Sequence, residues 1–270
     1  PKPLEIKIVR DIIKIQSVYT KTIEDDLLYV HVTSFDQKVV QGVKDALKEH
    51  SDAKGLILDL RNNPGGLLDQ AVGLVDLFVD EGVIVSQKGK LKSENLDYRA
   101  TKEGTNKDLP LVVLINGGSA SASEIVSGAL QDFNRTIVIG EKTFGKGSVQ
   151  VVMPIGADEA LKLTVARYYL PSGRTIQAVG VTPDITIPLG KIDFAEDSLM
   201  IKEKDLKKHL ESELAKIDTE TKKSTKKNEE NNATKEDEKI ITEEQIFKDL
   251  QLKSAVDILK ALIITNKGKV

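Results

Sequence analysis

The densest cluster of reactive side chains is Gly117-Gly118-Ser119-Ala120-Ser121-Ala122-Ser123-Glu124, placed where the apolar run Leu111 to Ile115 gives way to helical composition. Sheets built from alternating strands and helices put ligands at such strand ends. A serine there stands beside unpaired N–H groups and the positive end of a helix dipole. That setting suits a hydroxyl nucleophile and an oxyanion. The same letters also spell a capping box, Ser121-x-x-Glu124, and small residues let a turn pack closely. The cluster alone does not choose among its three serines.

A nucleophilic serine needs a base. His31 alternates within a strand, His50 ends a helix and His209 lies in a charged helical stretch, so each histidine reads as structural or solvated. The alternative is a lysine kept neutral by burial, able to accept the hydroxyl proton. Lys146 is the candidate, because Gly145 and Gly147 let the backbone turn closely around it; Lys142 lacks that flanking and reads as exposed. The segment Gly140 to Lys146 also fits G-x-x-x-x-G-K. Gly147, however, stands where a phosphate loop needs Ser or Thr, and strand rather than helix follows, so nucleotide binding fails two structural requirements and stays a distant third reading. The turn Arg61-Asn62-Asn63-Pro64-Gly65-Gly66 reads as a tight connector or as the source of a second oxyanion donor through a glycine N–H.

Composition narrows the chemistry. The chain has no cysteine, which excludes thiol nucleophiles, disulfides and thiolate metal sites, and its three histidines argue against a His-built metal centre. No metal and no cofactor are expected. With 39 Lys/Arg against 42 Asp/Glu, the net charge of −3 shows no broad basic face, so nucleic acid is not an expected partner.

These residues require a scaffold of buried strands. Gly55 to Leu60, Leu111 to Ile115 and Thr136 to Ile139 are short apolar runs, as strands covered on both faces should be. Leu28 to Val32 alternates like a strand, and helical spacing appears from Asp36, a plausible cap, and again over Leu67 to Val79 and Ser121 to Asp132. Strands separated by such helices predict an α/β sheet with crossover connections. Val149 to Met153 and Leu161 to Ala166 look like a strand pair, and Ile6 to Val9 with Ile12 to Ile15 like two more strands. Leu206, Leu210, Leu214 and Ile217 mark one face of a helix. From Asp218 to Lys239, 13 of 22 residues are charged and Ala233 alone is apolar, so a solvated linker is expected there. Thr242-Glu243-Glu244-Gln245 fits a capping box opening a last helix, Glu243 to Ile264.

Three motifs then agree in order and spacing: Asp59-Leu60-Arg61-Asn62-Asn63-Pro64-Gly65-Gly66, Gly118-Ser119-Ala120-Ser121-Ala122-Ser123-Glu124-Ile125 and Thr143-Phe144-Gly145-Lys146-Gly147-Ser148-Val149-Gln150. With Pro171-Ser172-Gly173-Arg174 and Gly180-Val181-Thr182-Pro183-Asp184, they closely resemble the carboxyl-terminal processing peptidases, a Ser-Lys family that includes tail-specific protease. The resemblance spans about Leu4 to Pro188. It implies an α/β fold, a crotonase-like or Clp-protease-like core of stacked ββα units with a small sheet and a helical C-terminal cap. It implies Ser121 as nucleophile, Lys146 as general base 25 residues later, Gln150 orienting the lysine, and an oxyanion hole from the Ala122 N–H with Gly65 or Gly66. Asp132 matches an accessory acidic residue of some members.

The activity implied is a serine endopeptidase acting on protein or peptide substrates with accessible C-termini. Residues 19–190 form its expected core, and 191–270 a helical tail with a charged linker at about 218–239. Residues 1–18 are expected to be strands left from a missing PDZ domain or cap. Because the chain opens on Pro1, a truncated or processed fragment is expected, and a non-catalytic scaffold or adaptor with the protease fold is the alternative reading. The resemblance further implies a periplasmic or cell-envelope location. The apolar face of the last helix must be covered, and a homo-oligomer joined through terminal helices is expected over docking within the chain.

Overall fold

A computed structural model describes residues 16–23, 26–191 and 240–267. The expected strands between Leu4 and Ile15, the helix marked by Leu206 to Ile217, His209 and the charged linker lie outside the described residues. The main sheet combines β1 (Val18–Ile23), β2 (Leu27–Val32), β3 (Gly55–Asp59), β6 (Leu111–Ile115), β7 (Ile137–Gly140) and β10 (Ile185–Thr186) in that spatial order. β1 pairs antiparallel with β2, and every other neighbour is parallel. A second sheet runs β5 (Leu96–Arg99), β4 (Val83–Gly89), β9 (Ala160–Tyr169), β8 (Ser148–Pro154), so β8 is an edge strand.

The period-two geometry of a strand splits the apolar runs between two cores. Leu56 and Leu58 of β3 and Val113 of β6 face α1 (Val39–Glu49), α2 (Leu68–Asp76) and α3 (Ala122–Asp132). Ile57, Val112 and Leu114 face the opposite way, onto α4 (Glu243–Phe247) and α5 (Leu250–Lys267). Both faces of β3 and β6 are thereby buried, which is why these strands read as unbroken apolar runs. The α/β sheet, the small second sheet and the helical cap agree with the sequence reading.

Three expectations are corrected. α1 begins at Val39 rather than Asp36; the Asp36 carboxylate instead accepts from the Lys38 N–H at 2.8 Å and the Ser17 hydroxyl at 2.7 Å, fixing the turn before the helix. The last helix is broken in two. Thr242 and Gln245 do form the capping box of α4, and Asp249 restarts the helix by accepting from the Leu252 N–H. The apolar face expected to seek a second copy is covered by the chain's own sheet, with Leu252, Ala255, Val256 and Leu259 buried against it. Burial of this helix therefore requires no oligomer. No helix of the described residues is long and apolar enough to cross a membrane.

Candidate active site

The three serines that the sequence could not separate are separated by their long-range contacts. Ser119 is fully buried, and its hydroxyl donates to the Leu60 carbonyl while accepting from the Asn116 N–H. Ser123 is also fully buried and donates to the Asn63 carbonyl. Both hydroxyls hold the turn together. Ser121 is the partly exposed one, and it occupies the N-cap of α3 with φ 55° and ψ −110°. A residue with a side chain adopts that conformation only when its surroundings force it, and such strain gathers at functional sites.

The neighbouring Arg61–Gly66 turn supplies the surroundings. Asn62 and Asn116 lock the two turns together: the Asn116 amide donates to Asn62 Oδ1 at 3.0 Å, and Asn116 Oδ1 accepts from the N–H groups of Asn62 and Gly118. Gly65 has φ 99°, and a Cβ on it would fall 2.9 Å from the Ser121 Cβ and 2.7 Å from the Ala120 carbonyl oxygen. Only glycine lets the turn lie this close over the serine. The Gly65 N–H donates to Asn63 Oδ1 at 2.9 Å and is therefore spent. Gly66 and Ala122 make no such N–H bond among the described residues. Ala122 is the first residue of α3, whose N–H has no acceptor within the helix. Of the two glycines expected at the oxyanion hole, Gly66 is the one with a free donor. A hollow lined by Phe35, Asp36, Gln37, Lys38, Gly66 and Leu67 opens beside it.

The loop Thr143 to Gly147 reaches the serine turn through backbone and one buried side chain. The Phe144 N–H donates to the Ser119 carbonyl. The fully buried Glu124 carboxylate accepts from Ser121 N–H and Lys146 N–H on Oε2, each at 2.8 Å, and from Thr143 Oγ1 and Gly145 N–H on Oε1, each at 2.6 Å. Nucleophile and base candidates thus share one anchor. Their side chains share no hydrogen bond. Lys146 is exposed, so the burial expected around its amine is not present in this structure. Lys142 is exposed as well.

Gln150 does not reach the lysine as expected, and Asp132 stands far from Ser121. Gln150 is exposed on β8 after a bulge at Val149/Gln150, and its amide points across the hairpin to Thr164 Oγ1 at 3.4 Å rather than to Lys146. Asp132 lies at the opposite end of α3 from Ser121, about 16 Å away along the axis. There it accepts from the Ser172 N–H and pairs with Arg174, pinning the Pro171–Arg174 turn to the helix; it is a structural clamp. His31 sits on β2 against Tyr19 and Tyr29, and His50 ends α1, so neither serves as a base for Ser121.

One network was not anticipated. The Arg61 guanidinium binds the buried Asp59 carboxylate at 2.6 Å and reaches Asp249 and Gln251 at the start of α5. Burial alone would push this guanidinium down, but the hydrogen bonds and charge of Asp59, then Asp249, hold it above its ordinary value. Burial, then the charge and hydrogen bond of Asp59, raise the Tyr29 phenol well above its usual range. Glu124, Asn62, Asn116 and Thr143 were also missed as site residues. For Glu124, Asn62 and Thr143 the only sequence signal was membership of the motifs, and Asn116 lies outside them; their partners lie between 19 and 54 positions away or, for Glu124 with Ser121, hide locally as a capping box.

Known proteins share this arrangement's sequence. Residues 26–187, more than half of the chain, match the model of peptidase family S41. The chain is 48% identical over 192 residues to a carboxy-terminal-processing protease of Bartonella bacilliformis, covering 69% of this chain and 44% of that protein. It is 41% identical over 192 residues to a "Probable CtpA-like serine protease" of Staphylococcus aureus (strain bovine RF122 / ET3-1), covering 69% and 38%. Among solved structures it resembles a photosystem II D1 C-terminal processing protease, with a TM-score of 0.58 and 34% identity over 65% of this chain and 49% of that one. The chain therefore spans less than half the length of these curated relatives. By sequence over most of its described core, the chain belongs to peptidase family S41.

Proposed function

We propose that the chain is the catalytic core of a serine endopeptidase that cleaves protein substrates near their C-termini. The observation that carries this reading is the setting of Ser121. Of three clustered serines it alone is partly exposed, and it is held in a strained conformation at a helix N-terminus, under Gly65 and beside the first N–H of α3 at Ala122. In this mechanism the Lys146 amine takes the Ser121 proton as Oγ attacks the substrate carbonyl carbon. The oxyanion forms against the Ala122 N–H and the α3 dipole, with the Gly66 N–H as the second donor of the proposal. Lys146 then gives its proton to the departing amine, and a water molecule hydrolyses the acyl-enzyme by the reverse path. Gln150 turns from Thr164 to orient the lysine. Resting sites often hold such hydrogen bonds loosely and tighten them with substrate, which accommodates the separation of the two side chains. A periplasmic or cell-envelope location belongs to the same proposal.

The missing Ser121 to Lys146 hydrogen bond is also what an adaptor with a dead site would show. Incubation with unfolded casein decides between them. Cleavage by the wild-type chain, abolished in both Ser121→Ala and Lys146→Ala and retained in Lys142→Ala, is expected. Wild type inert both as this chain and as a longer version of it, or a Ser121→Ala variant as active as wild type, supports the adaptor.

A further inference from the structure

We propose that Glu124 is a positioning residue whose buried carboxylate sets the distance between the Ser121 turn and the Lys146 loop; this rests on the Ser121–Lys146 reading above. A carboxylate offers lone pairs on two oxygens, and here each oxygen receives two donors. The division is specific. Oε2 takes one N–H from the nucleophile residue and one from the base residue, while Oε1 takes Gly145 and Thr143 from the loop alone. The Thr143 hydroxyl proton is committed to Glu124, because its oxygen already accepts from the Val181 N–H at 2.7 Å. Charge-assisted bonds of this kind are stronger than neutral ones, and inside the protein no water competes for them.

Of the four bonds to the Glu124 carboxylate, a capping box needs only the one from the Ser121 N–H. The three bonds to residues 143, 145 and 146 have no part in ending a helix, yet they are the bonds that reach the lysine loop. Because Glu124 sits one turn into α3 and is fully buried, it is rigid, and whatever position it fixes is shared by both catalytic backbones. A glutamine has the same shape but replaces one oxygen with an amino group. Whichever way it turns, two N–H groups, or an N–H and a committed hydroxyl, then face a donor.

The test uses the full 270-residue chain, unfolded casein and amide hydrogen exchange. Glu124→Gln is expected to fold, to lose about a hundredfold in kcat with KM within about threefold, and to lose exchange protection at Gly145 and Lys146. Thr143→Val, which keeps the carboxylate and removes one donor, is expected to lose about tenfold in kcat, and Thr143→Ser to recover most of it. If Glu124→Gln does not fold, the two Thr143 variants decide the proposal. A Glu124→Gln chain with wild-type kcat, or unchanged protection at both amides, overturns it. Should Ser121→Ala cleave as well as wild type, or wild type not cleave at all, the Ser121–Lys146 reading fails. The exchange data then still decide whether Glu124 tethers the loop.

Discussion

Ser121 carries a cost that Ser119 and Ser123 do not, a strained backbone with φ 55°. Replacing it by glycine removes the steric clash of φ 55°, so Ser121→Gly should be about 1 kcal/mol more stable than Ser121→Ala, and under the proposed mechanism neither should cleave. Ser119→Ala should instead cost about 1–3 kcal/mol, because the Asn116 N–H and Leu60 carbonyl lose a buried partner. Urea unfolding of the three variants checks both signs. Asp36 provides a pH-dependent case. The Ser17 hydroxyl, then the Lys38 N–H, hold its carboxyl below the usual carboxylate range. A carboxyl lowered in the folded state stabilises above its unfolded value of about 3.9 and loses that contribution as pH falls through the folded value. Asp36→Asn should therefore be less stable than wild type at pH 7, with the gap closing below about pH 4, as read by denaturant midpoints. At this scale the sequence showed which residue types cluster, but not which hydroxyls are buried. The bonds of Ser119 and Ser123 go to carbonyls about 60 positions back, and no local pattern reports them.

Among elements, the ones governed by neighbouring residues were legible and those governed by distant ones were not. The capping box at Thr242 and the buried strands β3 and β6 announce themselves because their signals are local. β1 went unrecognised since Val18–Ile23 mixes Thr and Lys into its alternation, and β4 and β5 since their outer halves are polar and partly exposed. Asp132 matched a motif, yet its partner Arg174 decides its role. The Arg61 network links β3 and the Arg61–Gly66 turn to the start of α5. Arg61→Ala leaves Asp59 buried without its cation, and removal of one partner of a buried pair costs about 3–5 kcal/mol. The expected result is a lower urea midpoint together with faster amide exchange in α5, while Lys54→Ala, in an exposed pair with Asp26, should shift the midpoint little.

For the whole molecule, one sheet serves two cores, and the second core is closed only by the C-terminal helices. Ile57, Val112, Leu114 and Ile139 would all meet water without them. Burying an aliphatic side chain of this size is worth about 1.5–3 kcal/mol, so deleting residues 240–270 should produce a chain that aggregates. Light scattering should report a rising mass; a soluble monomer after deletion would contradict the two-core description. The sequence showed that the last helix is amphipathic but not which surface covers it, since a sheet of its own chain and a second copy present the same chemistry. The Arg61 contact with Asp249 adds a temporal consequence. These residues are 188 positions apart, and a ribosome makes the earlier one first. The turn that lays Gly65 over Ser121 waits for its outer support until Asp249 has emerged, so a chain whose translation stops before that residue carries Ser121 without the latch that steadies its surroundings.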